Sequence, residues 1–219
     1  MKKKIILVII GVILLSVVGF MVFLKKDNAL TLKESNFIFE YGDKVPFEIR
    51  YYVKNTEEEI INNAKIKFQD DIVEIKDDEM KSIDSDYLEV GKYELNIEYE
   101  NKQYNFTIEV KDTTKPEFVV LQEEIIMEQN ALDVDLKKFY EATDLSETTI
   151  EIESEFDVTK VGEYKAIVKA IDTYENINQQ ETIIKVIPYD DIEKYEITKT
   201  IDGTEYKSQK RIDAENSKN

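Results

Sequence analysis

The chain has 219 residues, of which 47 are acidic and 29 basic, giving a formal net charge of −18. This charge disfavours nucleic acids and anionic lipid surfaces as partners. Histidine and cysteine are both absent, which excludes the usual transition-metal ligands, the Ser-His-Asp triad and the Cys-His pair. We therefore expect a protein that is not an enzyme and has no cofactor.

An uncharged apolar segment, residues 5–24, lies near the N-terminus between three lysines and two lysines. At about 1.5 Å per residue, a helix over this segment is roughly 30 Å long, which matches the hydrocarbon core of a bilayer. The sequence therefore predicts a cytoplasmic stub and transmembrane anchor over residues 1–26, with the lipid bilayer as partner through residues 5–24. A cleavable signal peptide is the alternative, although its apolar core is usually shorter and ends at a small-residue cleavage site.

The distribution of charge indicates how the chain is oriented. The greater number of lysines before the apolar segment favours a cytoplasmic N-terminus. All acidic residues follow Lys26, as is typical of an ectodomain that stays dispersed in water. A cysteine-free, Lys-, Ile- and Asn-rich chain indicates a bacterial envelope protein, because small secreted eukaryotic domains normally rely on disulfides. We expect a single-pass protein of the cell membrane with extracellular C-terminal domains.

Short strands are predicted throughout residues 30–112. The earlier segments with strand character are 37–41, 46–53, 64–68 and 72–75. A clearer signal follows, because apolar and polar residues alternate from Tyr93 to Tyr99 and again from Tyr104 to Val110, with a turn between them. This pattern predicts a first β-domain that closes with a hairpin.

The same pattern returns over residues 115–188. The segments with strand character are 118–121, 124–128 and 150–154, while 132–140 fits either a strand or a short helix. A closing hairpin is predicted from Tyr164 to Val186, with its turn at residues 173–176. Several short strands separated by turns predict a sandwich.

Residues 189–219 form a polar tail. Asp202-Gly203 between two short alternating segments predicts a hairpin over residues 195–206 with a type I′ turn. Because two strands alone are marginal in water, the tail is expected either to dock on the second domain or to be disordered from about residue 207.

One phrase, Asp-x-x-x-Val-Gly-x-Tyr, occurs twice, 71 residues apart. The aspartate is expected to tie a turn, the glycine to supply backbone freedom, and the tyrosine to pack and bond the corner backbone. These structural corner residues are Asp86, Gly91, Tyr93, Asp157, Gly162 and Tyr164. The repeat predicts two domains of one architecture.

With these motifs in order, the chain resembles the bacterial immunoglobulin-like repeats of the hyaline-repeat and pesticidal-crystal-protein type. The second domain carries Asp112-Thr-Thr-Lys-Pro116, Ala142-Thr-Asp144, the corner phrase, Val168 to Asp172 with Asn176, and Ile184-Lys-Val186. The first domain matches through its corner and closing hairpin. The resemblance implies an all-β fold, in which the N-terminal transmembrane helix is followed by two tandem immunoglobulin-like β-sandwiches and a polar tail.

The resemblance also suggests oxygen ligands at one end of the second domain, namely Asp144, Asp172 and Asn176. Calcium takes six to eight oxygens, so these three make an incomplete set. The chain departs from the family at Glu175, where glycine is usual, and lacks the Asp-Gly-rich stretch after Asp144. The simpler interpretation is that Asp172 and Asn176 form the turn between the last two strands.

Together these features predict a membrane-anchored bacterial cell-surface protein acting as a non-catalytic stalk, adhesion or protein-interaction module, with a protein or cell-envelope partner. The alternative is an accessory or sensor subunit of a membrane envelope complex. An extracellular enzyme is the third possibility, and the sequence offers it no nucleophile and base pair.

Overall fold

The computed structural model describes residues 29–55, 57–68 and 72–218, and the predicted anchor over residues 5–24 lies outside these ranges. Across the described ranges, no helix has both the length and the apolar character needed to cross a membrane. The described chain is mostly β-sheet with a few short helices, which confirms the all-β fold class. It divides into two compact units that meet in sequence between Lys111 and Asp112.

The first unit is a two-sheet sandwich with two short helices. Its elements are β1 (Asn36–Glu40), β2 (Val45–Pro46), α1 (Ile49–Tyr52), α2 (Glu58–Asn63), β3 (Lys65–Phe68), β4 (Val73–Lys76), β5 (Glu79–Ser82), β6 (Gly91–Tyr99) and β7 (Lys102–Lys111). One sheet has the order β1-β7-β6-β3 and the other β2-β5-β4. Both sheets contribute to one core, which includes Leu95 and Ile97 from β6 and Val45 and Met80 from the smaller sheet.

The second unit repeats this plan. Its elements are β8 (Glu117–Val120), β9 (Glu124–Glu128), a 3-10 helix (Leu136–Phe139), β10 (Glu141–Thr143), β11 (Thr148–Ser154), β12 (Gly162–Asp172), β13 (Ile177–Ile187), a second 3-10 helix (Tyr189–Lys194) and α3 (Gln209–Asn216). The larger sheet has the order β11-β12-β13-β9, and the smaller pairs β10 with β8. β9 runs parallel to β13, as β1 does to β7. The larger sheets of the two units therefore agree in strand order and direction.

The strand predicted over residues 46–53 is wrong beyond Pro46, because the chain turns into α1 there. On a strand, Tyr51 and Tyr52 would point to opposite faces. In the helical turn, both rings contact Phe37, with centroid separations of 6.1 and 4.9 Å. The hydroxyl of buried Tyr52 also donates to the Pro46 carbonyl at 2.6 Å. Aromatic packing against β1 thus overrides the local strand propensity.

The tail docks on the second unit, as one of the two sequence expectations states, but it does not form the predicted hairpin over residues 195–206, and residues 207–218 are ordered. Residues 200–204 do turn, with the Thr200 amide donating to the Thr204 carbonyl at 3.0 Å. The preceding segment, however, bonds to β9: the Thr198 amide donates to the Ile126 carbonyl at 2.9 Å, and the Ile126 amide to the Thr198 hydroxyl at 2.9 Å. β9 is an edge strand, so it has backbone groups that no other strand of its sheet pairs with. The tail bonds to these groups, whereas in the predicted hairpin its two halves would have bonded to each other.

Side chains further along the tail fix it to the second unit. Tyr206 is buried, packs on Phe139 at a ring separation of 5.9 Å, and donates its hydroxyl to the Asp135 carbonyl at 3.2 Å. Glu128 is fully buried and accepts hydrogen bonds from the amide and the hydroxyl of Ser208. The Ser208 hydroxyl also accepts from the Arg211 amide and so caps α3. The tail is therefore an integral part of the second unit.

We predict that Tyr206→Ala destabilises the second unit by about 3 kcal/mol, because it removes a buried aromatic ring and leaves a cavity beside Phe139. Tyr195→Ala is the matched control in the same segment, since that ring is exposed and lies beneath Lys185, whose Nζ is 4.9 Å from the ring centroid. The control should lose less than about 1 kcal/mol. Urea unfolding of the full chain, followed by tyrosine fluorescence, measures both. Equal losses would contradict the docked tail.

Candidate functional site

Three aspartates from separate segments meet at one end of the second unit. Asp112 is the first residue of that unit, Asp144 follows β10, and Asp172 ends β12. One carboxylate oxygen from each lies within 4.8 Å of the other two. At such a separation, two like charges repel by about 3–4 kcal/mol for an effective dielectric constant of 20. An arrangement of this kind needs positive charge, donated hydrogen bonds or a proton to hold it together.

The structure brings together two of the three ligand candidates from the sequence, Asp144 and Asp172, and adds Asp112. Asn176 is adjacent but presents its amide nitrogen, which donates to Asp172 Oδ2 at 2.8 Å and to the Asp112 carbonyl at 3.1 Å. Asn176 therefore positions the two aspartates. The third carboxylate belongs to the Asp112-Thr-Thr-Lys-Pro116 motif, which contributed to the resemblance but carried no prediction of a ligand.

The turn between β12 and β13 is built around the Asp172 carboxylate. Its Oδ1 accepts from the amides of Tyr174 and Asn176 at 2.8 and 2.9 Å. Glu175 has a φ of 68°, in the left-handed region that favours glycine. The turn thus keeps the glycine conformation, at a cost of about 1 kcal/mol for a residue with a side chain. Since Asp172 is itself almost fully buried, these bonds also offset the loss of its hydration.

Asp112 has the fewest hydrogen-bond donors of the three carboxylates. Only 9% of this residue is exposed. Its Oδ1 accepts from the Thr114 amide at 3.2 Å, whereas its buried Oδ2 has no hydrogen-bond donor among the described residues. Burial raises the pKa of the Asp112 carboxyl, and the charges of Asp144 and Asp172 add to the rise, while the nearby Ser146 hydroxyl and the Thr114 amide oppose it.

Asp144 is the most open member of the cluster. Its Oδ1 accepts from the Ser146 amide at 3.2 Å and from the Ser146 hydroxyl at 3.4 Å, and the residue is only half-buried. The cluster therefore combines two buried carboxylates with one that solvent reaches. Such an all-oxygen group can hold a hard cation or share a proton.

The repeated tyrosines lock the corners in the same way in both units. The Tyr93 hydroxyl donates to the Glu89 carbonyl at 2.8 Å, and the Tyr164 hydroxyl to the Lys160 carbonyl at 2.8 Å. The role expected for the glycines is wrong, because neither Gly91 nor Gly162 has a left-handed φ. An added Cβ at either position would lie 3.7 Å from the following tyrosine ring, which is ordinary van der Waals contact.

The two aspartates of the repeat differ. Asp157 Oδ1 accepts from the Thr159 amide at 3.0 Å and its hydroxyl at 2.6 Å, while Oδ2 pairs with Lys160 Nζ at 2.7 Å. The hydrogen bonds from Lys160 and Thr159 lower the pKa of the Asp157 carboxyl to about 2.

In the first unit, the role expected for Asp86 is wrong. The exposed Asp86 carboxylate accepts no hydrogen bond from the turn among the described residues. Two serine hydroxyls tie the turn instead: Ser82 accepts from the Glu89 amide at 3.0 Å, and Ser85 from the Tyr87 amide at 3.2 Å. A serine hydroxyl and an aspartate carboxylate make equivalent local bonds to a turn backbone.

No protein-family model and no curated protein matches this chain. Among solved structures, it is similar to human mucin-like protocadherin EC1-2, at 12% identity over 73% of this chain and 98% of that one, with a TM-score of 0.31. It is also similar to Drosophila OTK extracellular domains 3–5, at 13% identity over 72% and 60% of the two chains, with a TM-score of 0.30. An endo-fucoidan hydrolase from glycoside hydrolase family 107 matches at 11% identity over 75% of this chain and 29% of that one, with a TM-score of 0.27. Because these TM-scores are low, the description of each unit as a β-sandwich rests on the strand order observed in this chain.

We predict that Asp157 contributes to the acid sensitivity of the fold. Because its folded pKa of about 2 lies below the ordinary value of 3.8, its carboxylate stabilises the folded chain above about pH 4 and loses that contribution as the pH falls toward 2. In Asp157→Asn, the urea midpoint should therefore fall less between pH 4 and pH 2.5 than in the wild type. Asp86→Asn should follow the wild type, since Asp86 does not tie its turn. Parallel pH curves for Asp157→Asn and the wild type would refute this role.

Proposed function

We propose that this chain is a membrane-anchored bacterial cell-surface protein whose two immunoglobulin-like units act as a non-catalytic stalk, adhesion or protein-interaction module. The observation that carries the proposal is the tandem repetition of one sheet order in the two units. The repeated residues Tyr93 and Tyr164 hold corners in this plan and leave the faces free to vary. Repetition of one β-sandwich plan is a general means of enlarging a display surface.

The membrane attachment in this proposal rests on the sequence. Residues 5–24 form an uncharged apolar stretch bounded by lysines, which has the length and flanks of a single transmembrane helix. The N-terminus is proposed to be cytoplasmic and the two units extracellular. The immunoglobulin-like repeats of bacterial surface proteins that the chain resembles belong in the same location.

The electrostatics of the chain define the kind of partner. A net charge of −18 disfavours polyanions and favours a protein or envelope surface that carries positive charge. A non-catalytic role is consistent with a chain that contains no histidine or cysteine, because the usual activated nucleophiles and general bases near neutral pH are then missing.

We predict that crosslinking in the native cell, followed by mass spectrometry, recovers partners through the two units. The matched control keeps residues 1–29 and replaces residues 30–218 with two unrelated folded domains of equal length. An interaction module should lose its crosslinked partners in this chimera, while a stalk should keep its cellular activity. Retention of all membrane partners by the chimera would instead assign recognition to the anchor, as in an accessory or sensor subunit of an envelope complex.

We also predict that a protease added to intact cells with an accessible surface cleaves the two units. The proposed topology exposes residues 30–218 to the outside, so the full-length band should shorten without lysis. A cytoplasmic protein in the same cells should stay intact as the control. Complete protection of the chain, with cleavage of a known surface protein, would contradict the proposed orientation.

A further inference from the structure

We propose that Asp112, Asp144 and Asp172 bind one Ca²⁺ ion at their end of the second unit. Their ligand oxygens lie within 4.8 Å of one another. The site is formed within the second unit, and it does not depend on the membrane anchor or on the function proposed above.

The buried Oδ2 of Asp112 is the observation that points to a ligand. This oxygen has no donor among the described residues, and the residue is nine-tenths buried. The carboxylates of Asp144 and Asp172 lie close to the Asp112 carboxyl. They add negative charge at a place where a buried carboxylate needs positive charge or a hydrogen-bond donor. Buried charged groups in proteins are paired with an opposite charge or coordinate a metal. A cation between the three side chains supplies that compensation for all of them at once.

Calcium is the cation that fits these ligands. Its bonds to oxygen are 2.3–2.6 Å long, so two oxygens on the same ion are at most about 5 Å apart. Three oxygens within 4.8 Å can therefore reach one Ca²⁺ with little movement. The chain has no histidine or cysteine, and carboxylate ligands suit hard cations such as calcium. Bidentate binding and water at the half-exposed Asp144 would complete six to eight ligands.

Neighbouring side chains already hold the carboxylates in place for this role. The Ser146 amide and hydroxyl hold Asp144 through Oδ1. The turn amides hold Asp172 through Oδ1. Asn176 bonds Asp172 Oδ2 and the Asp112 backbone, which ties the two segments together. Asn178 adds a second link, from its Nδ2 to the Pro116 carbonyl at 2.8 Å. The segment that begins at Asp112 is thus fixed against β13 without any metal.

Calcium chloride and chelator, applied to the full chain, test the site. Millimolar calcium should raise the melting temperature of one unfolding transition by several degrees relative to chelator, because the ion binds the folded state. Isothermal titration should give one saturable site per chain. Asp112→Asn should weaken calcium binding at least tenfold, and Glu147→Gln, which removes a nearby exposed charge outside the cluster, should leave it unchanged.

Asp112→Asn should also remain folded, because it relieves the repulsion among three carboxylates while keeping the shape of the side chain. In chelator it should be at least as stable as the wild type, and only in calcium should the wild type become the more stable of the two. If this variant fails to fold, Asp144→Asn provides the same readout at a more exposed position. The proposal is overturned if calcium leaves the wild type unchanged, as expected for a shared proton. It is also overturned if magnesium raises the melting temperature of the wild type as much as calcium does. The same holds if calcium raises the melting temperature of Asp112→Asn as much as that of the wild type.

Discussion

Each unit is organised around one long antiparallel hairpin, β6–β7 in the first and β12–β13 in the second, whose inward row of apolar side chains has to be covered. Ile97 and Ile108 in the first hairpin, and Val168 and Ile184 in the second, are fully buried. Each such side chain contributes about 1.5–3 kcal/mol when removed from water. The parallel first strand and the strand at the other side extend the hairpin's sheet at its two edges, and the smaller sheet of the first unit contributes to the same core. The docked tail extends the same core in the second unit through Tyr206.

The corner that opens each hairpin is held by a tyrosine hydroxyl on the carbonyl four residues earlier. That bond survives in both units although the turn before it is tied differently, by Asp157 in one and by Ser82 and Ser85 in the other. The tyrosine is the same in both units because its hydroxyl joins the strand to the corner backbone. The turn requires only a side-chain oxygen that accepts hydrogen bonds from its backbone amides. Identity of the turn residue is therefore a poor guide to whether two corners are equivalent.

The two units also differ in the turn that joins the strands of the hairpin. In the first, Glu100 and Asn101 link β6 to β7, with φ values of 48° and 60°. In the second, the longer turn carries Asp172 and Asn176, and these residues reach the segment that begins at Asp112. The carboxylate cluster depends on this longer connection. One architecture can thus be repeated while its polar chemistry is confined to a single copy, because turns are constrained less than the strands they join.

The sequence by itself determined the all-β class, the two closing hairpins and the equivalence of the two corners, because period-two alternation and a repeated phrase are local signals. The resemblance to bacterial immunoglobulin-like repeats suggested Asp144 and Asp172, together with Asn176, as oxygen ligands of a cation. Tertiary structure alone decided that Asp112 completes the cluster, that Asn176 faces it with a nitrogen, and that Tyr51 and Tyr52 sit on a helical turn against Phe37. It also decided that the tail lies along β9. These outcomes depend on partners tens of residues away, whose burial and hydrogen-bonding needs outweigh local propensity.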